Sequence, residues 1–503
     1  MTSERSAGRK TRTRPPAVHV ALVSSEIAPF AKTGGLGEVL GSLPQALEKA
    51  GIRVSLITPA YRSVLHDAFP VEDTGMRISV PISGRTEEAS ILKGKVGRDI
   101  PVYFVRSDKY FDRDGLYSSA GVDYADNAER FTFFSRVALE VLKKDPPAIL
   151  HAHDWQAALS IVFLETQPER YPELDPTRTL LTIHNLGYQG IFWRYDWHLL
   201  DIDWRFFSPA YLEFYDKINF LKGGLVFADR VSTVSPTYAD EIETPEYGFG
   251  LEGIFQTREK ETTGILNGID YHVWNPETDA GIAHTYSADD LAGKALCKAT
   301  LQKAFGLQEN PETLLIGMVA RLTSQKGCDL LETAMSEIMA RNVQFVLLGD
   351  GEKRYADLFS GMPARYPGRV GVQVSFDEAK VHTIVAGADF LLVPSLYEPC
   401  GLTQMYGMRY GTPTVARATG GLKDTIQEFN PETKIGNGFL FEKYEAGGLI
   451  AAIDRALGYY AHKDEWNALV KNAMKASFSW DKSARAYRDL YQKLLRTPLI
   501  SGG

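Results

Sequence analysis

No apolar run in these 503 residues approaches the ~18–20 consecutive residues a bilayer crossing needs, which excludes a transmembrane helix. Cysteine is scarce. Cys297, Cys328 and Cys400 are too few and too scattered for a disulfide framework or a CxxC zinc site, so a reducing, cytoplasmic setting is expected. An excess of positive charge is also missing: Lys+Arg is 55 against Asp+Glu 63, a net charge of −8, with a pI near 5.8. That balance argues against a general polyanion binder, and any anion must be caught by a local cluster. The N-terminal MTSERSAGRKTRTRPP has no apolar h-region and so is not a secretory signal; a disordered basic tail over residues 1–16 is the expectation. Short-period repeats and low-complexity segments are absent. What remains, 44% hydrophobic and 23% charged, is ordinary globular composition, with length for two to four domains at roughly 150 residues each.

Short apolar runs alternate with longer amphipathic ones. Strands are predicted at 18–24, 53–57, 102–105, 148–151, 179–184 and 230–234, with helices over 38–50 and 126–143 between them. The rhythm restarts after Asn267, with strands at 314–320, 344–348, 370–375, 390–393 and 413–416. Near-continuous apolar strands separated by helices imply parallel sheets covered on both faces. Two such series suggest two Rossmann-like, doubly wound α/β domains, with a boundary near the turn-forming 265–275 segment. Residues 481–496 read as one last helix. One echo joins the halves: Thr33-Gly34-Gly35-Leu36-Gly37-Glu38 returns as Thr419-Gly420-Gly421-Leu422-Lys423-Asp424.

Ligands of doubly wound sheets bind beyond the carboxyl ends of the strands. After the first strand comes Lys32-Thr33-Gly34-Gly35, where glycines admit close backbone approach and the helix start favours negative charge. The spacing is neither GxGxxG nor a P-loop, which weakens dinucleotide and Walker-type readings. His153-Asp154 and His184-Asn185 stand at two further strand ends. In the second half Arg321 and Lys326 lie five residues apart, able to grip a diphosphate from two sides or equally to be solvated loop charges. Ser395, Glu398, Cys400 and Gly401 follow a later strand. The DxD pairs Asp112/Asp114 and Asp201/Asp203 follow no clear buried strand and read as surface turns; His151 and His153 lack a third ligand, so no metal is expected. There is no GxSxG and no evident Cys–His pair.

KTGGLGEV (32–39), HAHDW (151–155), TIHNLGYQG (182–190), NGIDYHVWNP (267–276), RLTSQKG (321–327) and EPCGLTQMYGMRYGTPTVARATGGLKDT (398–425) resemble the bacterial glycogen synthase and plant starch synthase family. The segments at 234–242, 250–255 and 437–442 extend the resemblance in order along nearly the whole chain. It implies a GT-B fold: an N-terminal domain over 17–268, a donor-side domain over 269–479 and a C-terminal helix, 480–503, returning to the first domain. It implies retaining transfer of glucose from ADP-glucose to the non-reducing 4-OH of an α-1,4-glucan, with no cofactor and no metal. UDP-glucose as donor and a non-catalytic glucan-binding relative are the alternatives; glycogen against starch stays open, and nucleic acid and membrane are not expected partners.

Motif by motif, the resemblance implies that Arg321 and Lys326 bind the donor diphosphate and that Lys32 with the Gly34 and Gly35 amides closes on it from the other domain. Glu398 holds glucose hydroxyls and faces the anomeric carbon. The Gly420-Gly421-Leu422 backbone and the helix start at Gly401-Leu402-Thr403 hold phosphate oxygens through N–H groups. His184 and Asn267 line the glucose pocket, Asp154 lies near the reacting centre and Glu38 faces the acceptor. Cys400 borders the donor site, where modification of its thiol would crowd the donor. Glu38, where some members have Asp, and Ile435-Gly436-Asn437-Gly438 depart from the common pattern.

Overall fold

The structure, a computed structural model, describes residues 17–496 apart from 67, 68, 120 and 376. The expected basic tail over 1–16 lies outside the described residues, as do 497–503. Two parallel-sheet domains make up the chain. The first sheet has nine strands in the order Thr262–Gly264, Arg230–Thr233, Arg178–Ile183, Ile149–His153, His19–Val23, Arg53–Pro59, Ile100–Arg106, Arg85–Val96 and Glu72–Ile82. Seven run parallel; the last two fold back as an antiparallel hairpin. The second sheet is wholly parallel: Val370–Val374, Val343–Gly349, Leu314–Val319, Phe390–Val393, Thr414–Arg417 and Gly438–Phe441.

Every strand predicted from an apolar run is present. The hairpin over 72–96 was not, because its outer strands leave one face wet: Glu72–Ile82 begins with four exposed residues, and Arg85-Thr86-Glu87-Glu88 opens the next with no apolar signal. The helix Gly35–Lys49 buries Leu36, Val39, Leu40, Leu43 and Leu47 at helical spacing and carries Glu38 in its first turn and Lys49 in its last, matching the helix dipole. The C-terminal helix Trp480–Arg496 presents Trp480, Ala484, Tyr487, Tyr491 and Leu494, a narrow apolar stripe, to the first domain's core beside Val20, Leu22, Val39 and Leu43. The chain therefore crosses between domains twice, side by side: the Ile269 N–H donates to Phe478 O at 2.8 Å, and Gly268 lies so close to Trp480 N that a Cβ would sit 2.7 Å from it.

Candidate active site in the interdomain cleft

The carboxyl ends of both parallel sheets face each other, and the loops beyond them touch across a cleft. Beyond Leu314–Val319 the chain passes Arg321 and enters the short turn Ser324–Lys326. Gly327 closes that turn in the left-handed region (φ 79°), where a Cβ would meet Pro394 O at 2.2 Å, so only glycine fits. The turn aims Lys326 at Glu398: Nζ donates to Oε1 at 2.8 Å and Oε2 at 2.6 Å, and the Ser395 hydroxyl donates to Oε2 at 2.9 Å. Glu398 is 5% exposed, so its charge is tolerated because a cation and a hydroxyl both hold it. An ammonium has three donors, and two are spent here. Arg321 stays exposed at the cleft mouth, its Nη1 donating to the Tyr188 hydroxyl of the opposite domain at 3.2 Å.

From the first domain, Ile149–His153 runs directly into the helix Asp154–Thr166. Asp154 takes a left-handed backbone (φ 58°), which turns its carboxylate back to accept the His184 N–H at 2.7 Å. Burial pushes the Asp154 carboxyl up to about 7; the nearby Glu26 charge adds to this, and the His184 and Asn185 N–H groups oppose it. His184 Nε2 shares a hydrogen bond with His153 Nδ1 at 3.0 Å, and His151 shares one with the Tyr491 hydroxyl of the returning helix at 2.9 Å. Burial lowers His151 and His184 to about 3 and His153 well below its usual value, so the three rings are neutral at pH 7.

Lys32 bridges the domains, donating to Glu38 at 2.7 Å and to Glu378 of the second domain at 3.2 Å. Burial works against its charge, but the two carboxylates outweigh that and its pKa is raised. Gly34 and Gly35 are exposed beside it. A Cβ on Gly34 would meet nothing within 4 Å, and one on Gly35 only Leu402 at 3.9 Å. Gly401 is left-handed (φ 71°) and Leu402 precedes the helix Thr403–Arg409, which no side chain caps. Asn267 and Cys400 are buried neighbours; the Asn267 Oδ1 finds no protein partner, and burial pushes the Cys400 thiol up to about 12. A protonated thiol that is 4% exposed is a poor target for reagents.

The Gly420-Gly421-Leu422 expectation also needs correction. The Gly420 N–H donates to Glu241 Oε1 at 2.9 Å, the Gly421 N–H to Glu398 O at 3.1 Å and the Leu422 N–H to Thr419 O at 3.1 Å. These donors dock the loop inside the protein instead of facing a phosphate. Four further residues central to the geometry were assigned no role from sequence, although Tyr188 and Glu241 lie within the 182–190 and 234–242 segments. Glu26 accepts the Thr33 N–H and hydroxyl, both at 2.7 Å; Glu241 accepts from Thr419 and Gly420 across the cleft; Tyr188 meets Arg321; and Tyr397 donates to Asn185 Oδ1 at 3.3 Å. Position at a strand end was the available clue for Glu26. The DxD aspartates are engaged otherwise: Asp112 and Asp114 pair with Arg62, Asp201 with Arg170, and Asp203 caps the 204–206 turn.

Two facing Rossmann-like domains with the charged cluster between them are the architecture of GT-B glycosyltransferases. Residues 19–257 match the family model for the starch synthase catalytic domain, and residues 300–475 match glycosyl transferases group 1. A glycogen synthase from Koribacter versatilis is 45% identical over 96% of this chain and 100% of its own, and one from Pseudothermotoga lettingae is 42% identical over 95% and 99%. A solved structure of the catalytic domain of starch synthase IV from Arabidopsis thaliana, bound to ADP and acarbose, superposes with a TM-score of 0.88 at 34% identity, covering 96% of this chain and 100% of that one. Sucrose-phosphate synthase from Thermosynechococcus elongatus shares the fold, with a TM-score of 0.61 at 20% identity over 95% and 99%. The chain belongs to the glycogen and starch synthase family, and it is a hexosyltransferase.

Proposed function

We propose that the protein transfers glucose from ADP-glucose to the non-reducing 4-OH of an α-1,4-glucan with retention of configuration, in the cytoplasm and without a metal. The observation that carries this reading is the Lys326–Glu398 pair, with Arg321 bonded across the domains to Tyr188 and the Gly34-Gly35 turn open on the first domain. The third Lys326 N–H and the Arg321 guanidinium hold the diphosphate and stabilise its growing charge as the C1–O bond to phosphate breaks. The acceptor oxygen attacks the same face and its proton passes to the departing phosphate, which preserves configuration and balances the step. Glu398 faces the positive anomeric carbon. Asp154, His184 and Asn267 orient the glucose, the neutral imidazole serving as hydrogen-bond partner rather than charge. The choice of ADP-glucose is supported by the ADP found in the plant relative.

The test is incorporation of labelled glucose into glycogen from ADP-glucose and, separately, UDP-glucose. Label from ADP-glucose is expected; no label from either donor would sink the reading. Arg321→Ala and Lys326→Ala should each lower kcat by about two orders of magnitude or more. Arg321→Ala is the cleaner variant, because it is exposed, whereas Lys326→Ala also strands the buried Glu398 carboxylate.

A further inference from the structure

His151 and His153 alternate with Ala152 on the strand Ile149–His153, so both rings leave the same face of the sheet. Both are fully buried, and their centroids lie 4.1 Å apart. Each reaches a different partner. His151 meets the returning C-terminal helix at Tyr491, and His153 meets His184 at the cleft.

The direction of every hydrogen bond in this cluster follows from which groups have an alternative. The buried Tyr491 hydroxyl meets His151 Nδ1 at 2.9 Å and no other partner among the described residues. A buried O–H needs an acceptor, so the hydroxyl donates and Nδ1 is bare. His151 then carries its proton on Nε2 and donates to Thr182 Oγ1 at 2.5 Å, and the Thr182 hydroxyl donates onward to Ser232 Oγ at 2.6 Å. His153 Nδ1 lies 3.0 Å from His184 Nε2, while its own Nε2 is buried without a partner. A proton on that Nε2 would be a donor sealed from water, which costs more than a bare lone pair. Burial keeps both rings neutral, so His153 has its proton on Nδ1 and donates it to His184 Nε2. His184 in turn holds its single proton on Nδ1, which has no partner among the described residues, on a half-buried side chain. The 153–154 pair thus grips His184 twice: Asp154 accepts its backbone N–H at 2.7 Å, and His153 fixes its ring.

We propose that His153 is a positioning residue for glucosyl transfer, whose Nδ1–H holds His184 as the Nδ1–H tautomer so that His184 offers a donor, not an acceptor, to a hydroxyl of the bound sugar. A ring's second nitrogen decides in this way what its first can do. Tyr491 extends the support, because its hydroxyl fixes the His151 ring on which His153 stacks. Contact between His184 and the sugar rests on the transferase reading above; the tautomer does not.

The experiment uses the full chain with isotope-labelled histidine rings. Proton–nitrogen NMR spectra report which ring nitrogen carries the proton, and the His184 signal is identified by its loss in His184→Gln. The wild type should show His184 protonated at Nδ1. His153→Phe keeps a flat ring without a donor and should move the proton to Nε2 in part or in full. His153→Asn places its amide nitrogen where Nδ1 was and should restore the wild-type tautomer. In glucose transfer, kcat/KM for the sugar nucleotide should fall about tenfold or more in His153→Phe and largely recover in His153→Asn. Tyr491→Phe should broaden the His153 signals; unaltered His153 signals would overturn the helix's part. Wild-type His184 protonated at Nε2, a result that needs no variant to fold, would overturn the proposal. So would an unchanged His184 signal in His153→Phe, or equal loss of kcat/KM in the Phe and Asn variants. The expected tautomers in a protein that transfers glucose from neither donor would uphold the hydrogen-bond assignment and remove the transferase reading.

Discussion

The two TGGL turns have the same four residues, the same position at a strand-to-helix junction and the same kind of anchor, yet they are built for different work. In each, a glutamate holds the threonine: buried Glu26 accepts the Thr33 N–H and hydroxyl, and half-buried Glu241 accepts the Thr419 hydroxyl and the Gly420 N–H. Glu26 belongs to the same domain as its turn, whereas Glu241 reaches across the cleft. The glycines differ more. Gly34 and Gly35 are exposed with open space where side chains would be, while Cβ atoms on Gly420 and Gly421 would lie 2.0 Å from Glu398 O and 2.1 Å from Cys400 O. The first turn leaves open space over its glycines, and the second lets backbone segments touch beneath Glu398. One motif thus opens onto free space on one side and docks the domains on the other.

The largest effect expected from this contrast is on Gly421→Ala. A methyl 2.1 Å from a buried carbonyl forces the loop under Glu398 to move, at a cost of about 3 kcal/mol or more, with loss of activity. Gly34→Ala has space and an extended backbone, so its stability should change by less than about 0.5 kcal/mol. Its kcat/KM for the sugar nucleotide should nevertheless fall about tenfold or more, because the methyl projects into the donor space. Denaturant melts and donor kinetics on both variants check this. Equal destabilisation by the two would erase the distinction.

The anchors separate next. Glu241→Ala leaves the Thr419 hydroxyl and Gly420 N–H unsatisfied at the domain contact, about 1–3 kcal/mol of lost interaction. It should raise the radius of gyration of the ligand-free protein in small-angle X-ray scattering. Glu26→Ala loosens a turn within one domain and should lower activity while leaving the radius unchanged. Expansion in Glu26→Ala, or none in Glu241→Ala, would break the assignment of one anchor to the turn and the other to closure.

This division was only half legible in sequence. The repeated TGGLx-acid segment, the parallel strands and Arg321, Lys326 and Glu398 could be found because apolar runs announce strands and strand ends announce sites. What the turns do depends on which carbonyl lies opposite each glycine, and Glu398 O and Cys400 O are set by tertiary packing twenty residues away in sequence. Glu241 lies within the 234–242 segment, but its role is hidden for the same reason: nothing local distinguishes it from Asp240 beside it. The antiparallel hairpin 72–96 escaped because its exposed face erases the apolar run.

The smallest predicted effect probes what the first anchor does beyond its turn. The Glu26 charge, secondary to burial, helps hold the Asp154 carboxyl near 7, above its unfolded value of about 4. An acid whose pKa is raised by folding binds its proton more tightly in the native state. Its stabilisation is complete below about pH 4 and is lost as pH rises through 7. Thermal melts from pH 5 to pH 8 should therefore show Asp154→Asn gaining on the wild type as pH rises, since Asn keeps the acceptor for the His184 N–H but cannot ionise. Glu26→Gln should show part of the same gain, because the Asp154 pKa falls once the neighbouring charge is gone. Glu241→Gln should not share it through Asp154, since Glu241 is not among the groups that shift that carboxyl. Burial raises the Glu241 carboxyl itself, so any gain in that variant should be unaffected when Asp154→Asn is added, whereas the Glu26→Gln gain should disappear in the double variant. A Glu26→Gln gain that survives Asp154→Asn would show that the first anchor serves its turn alone.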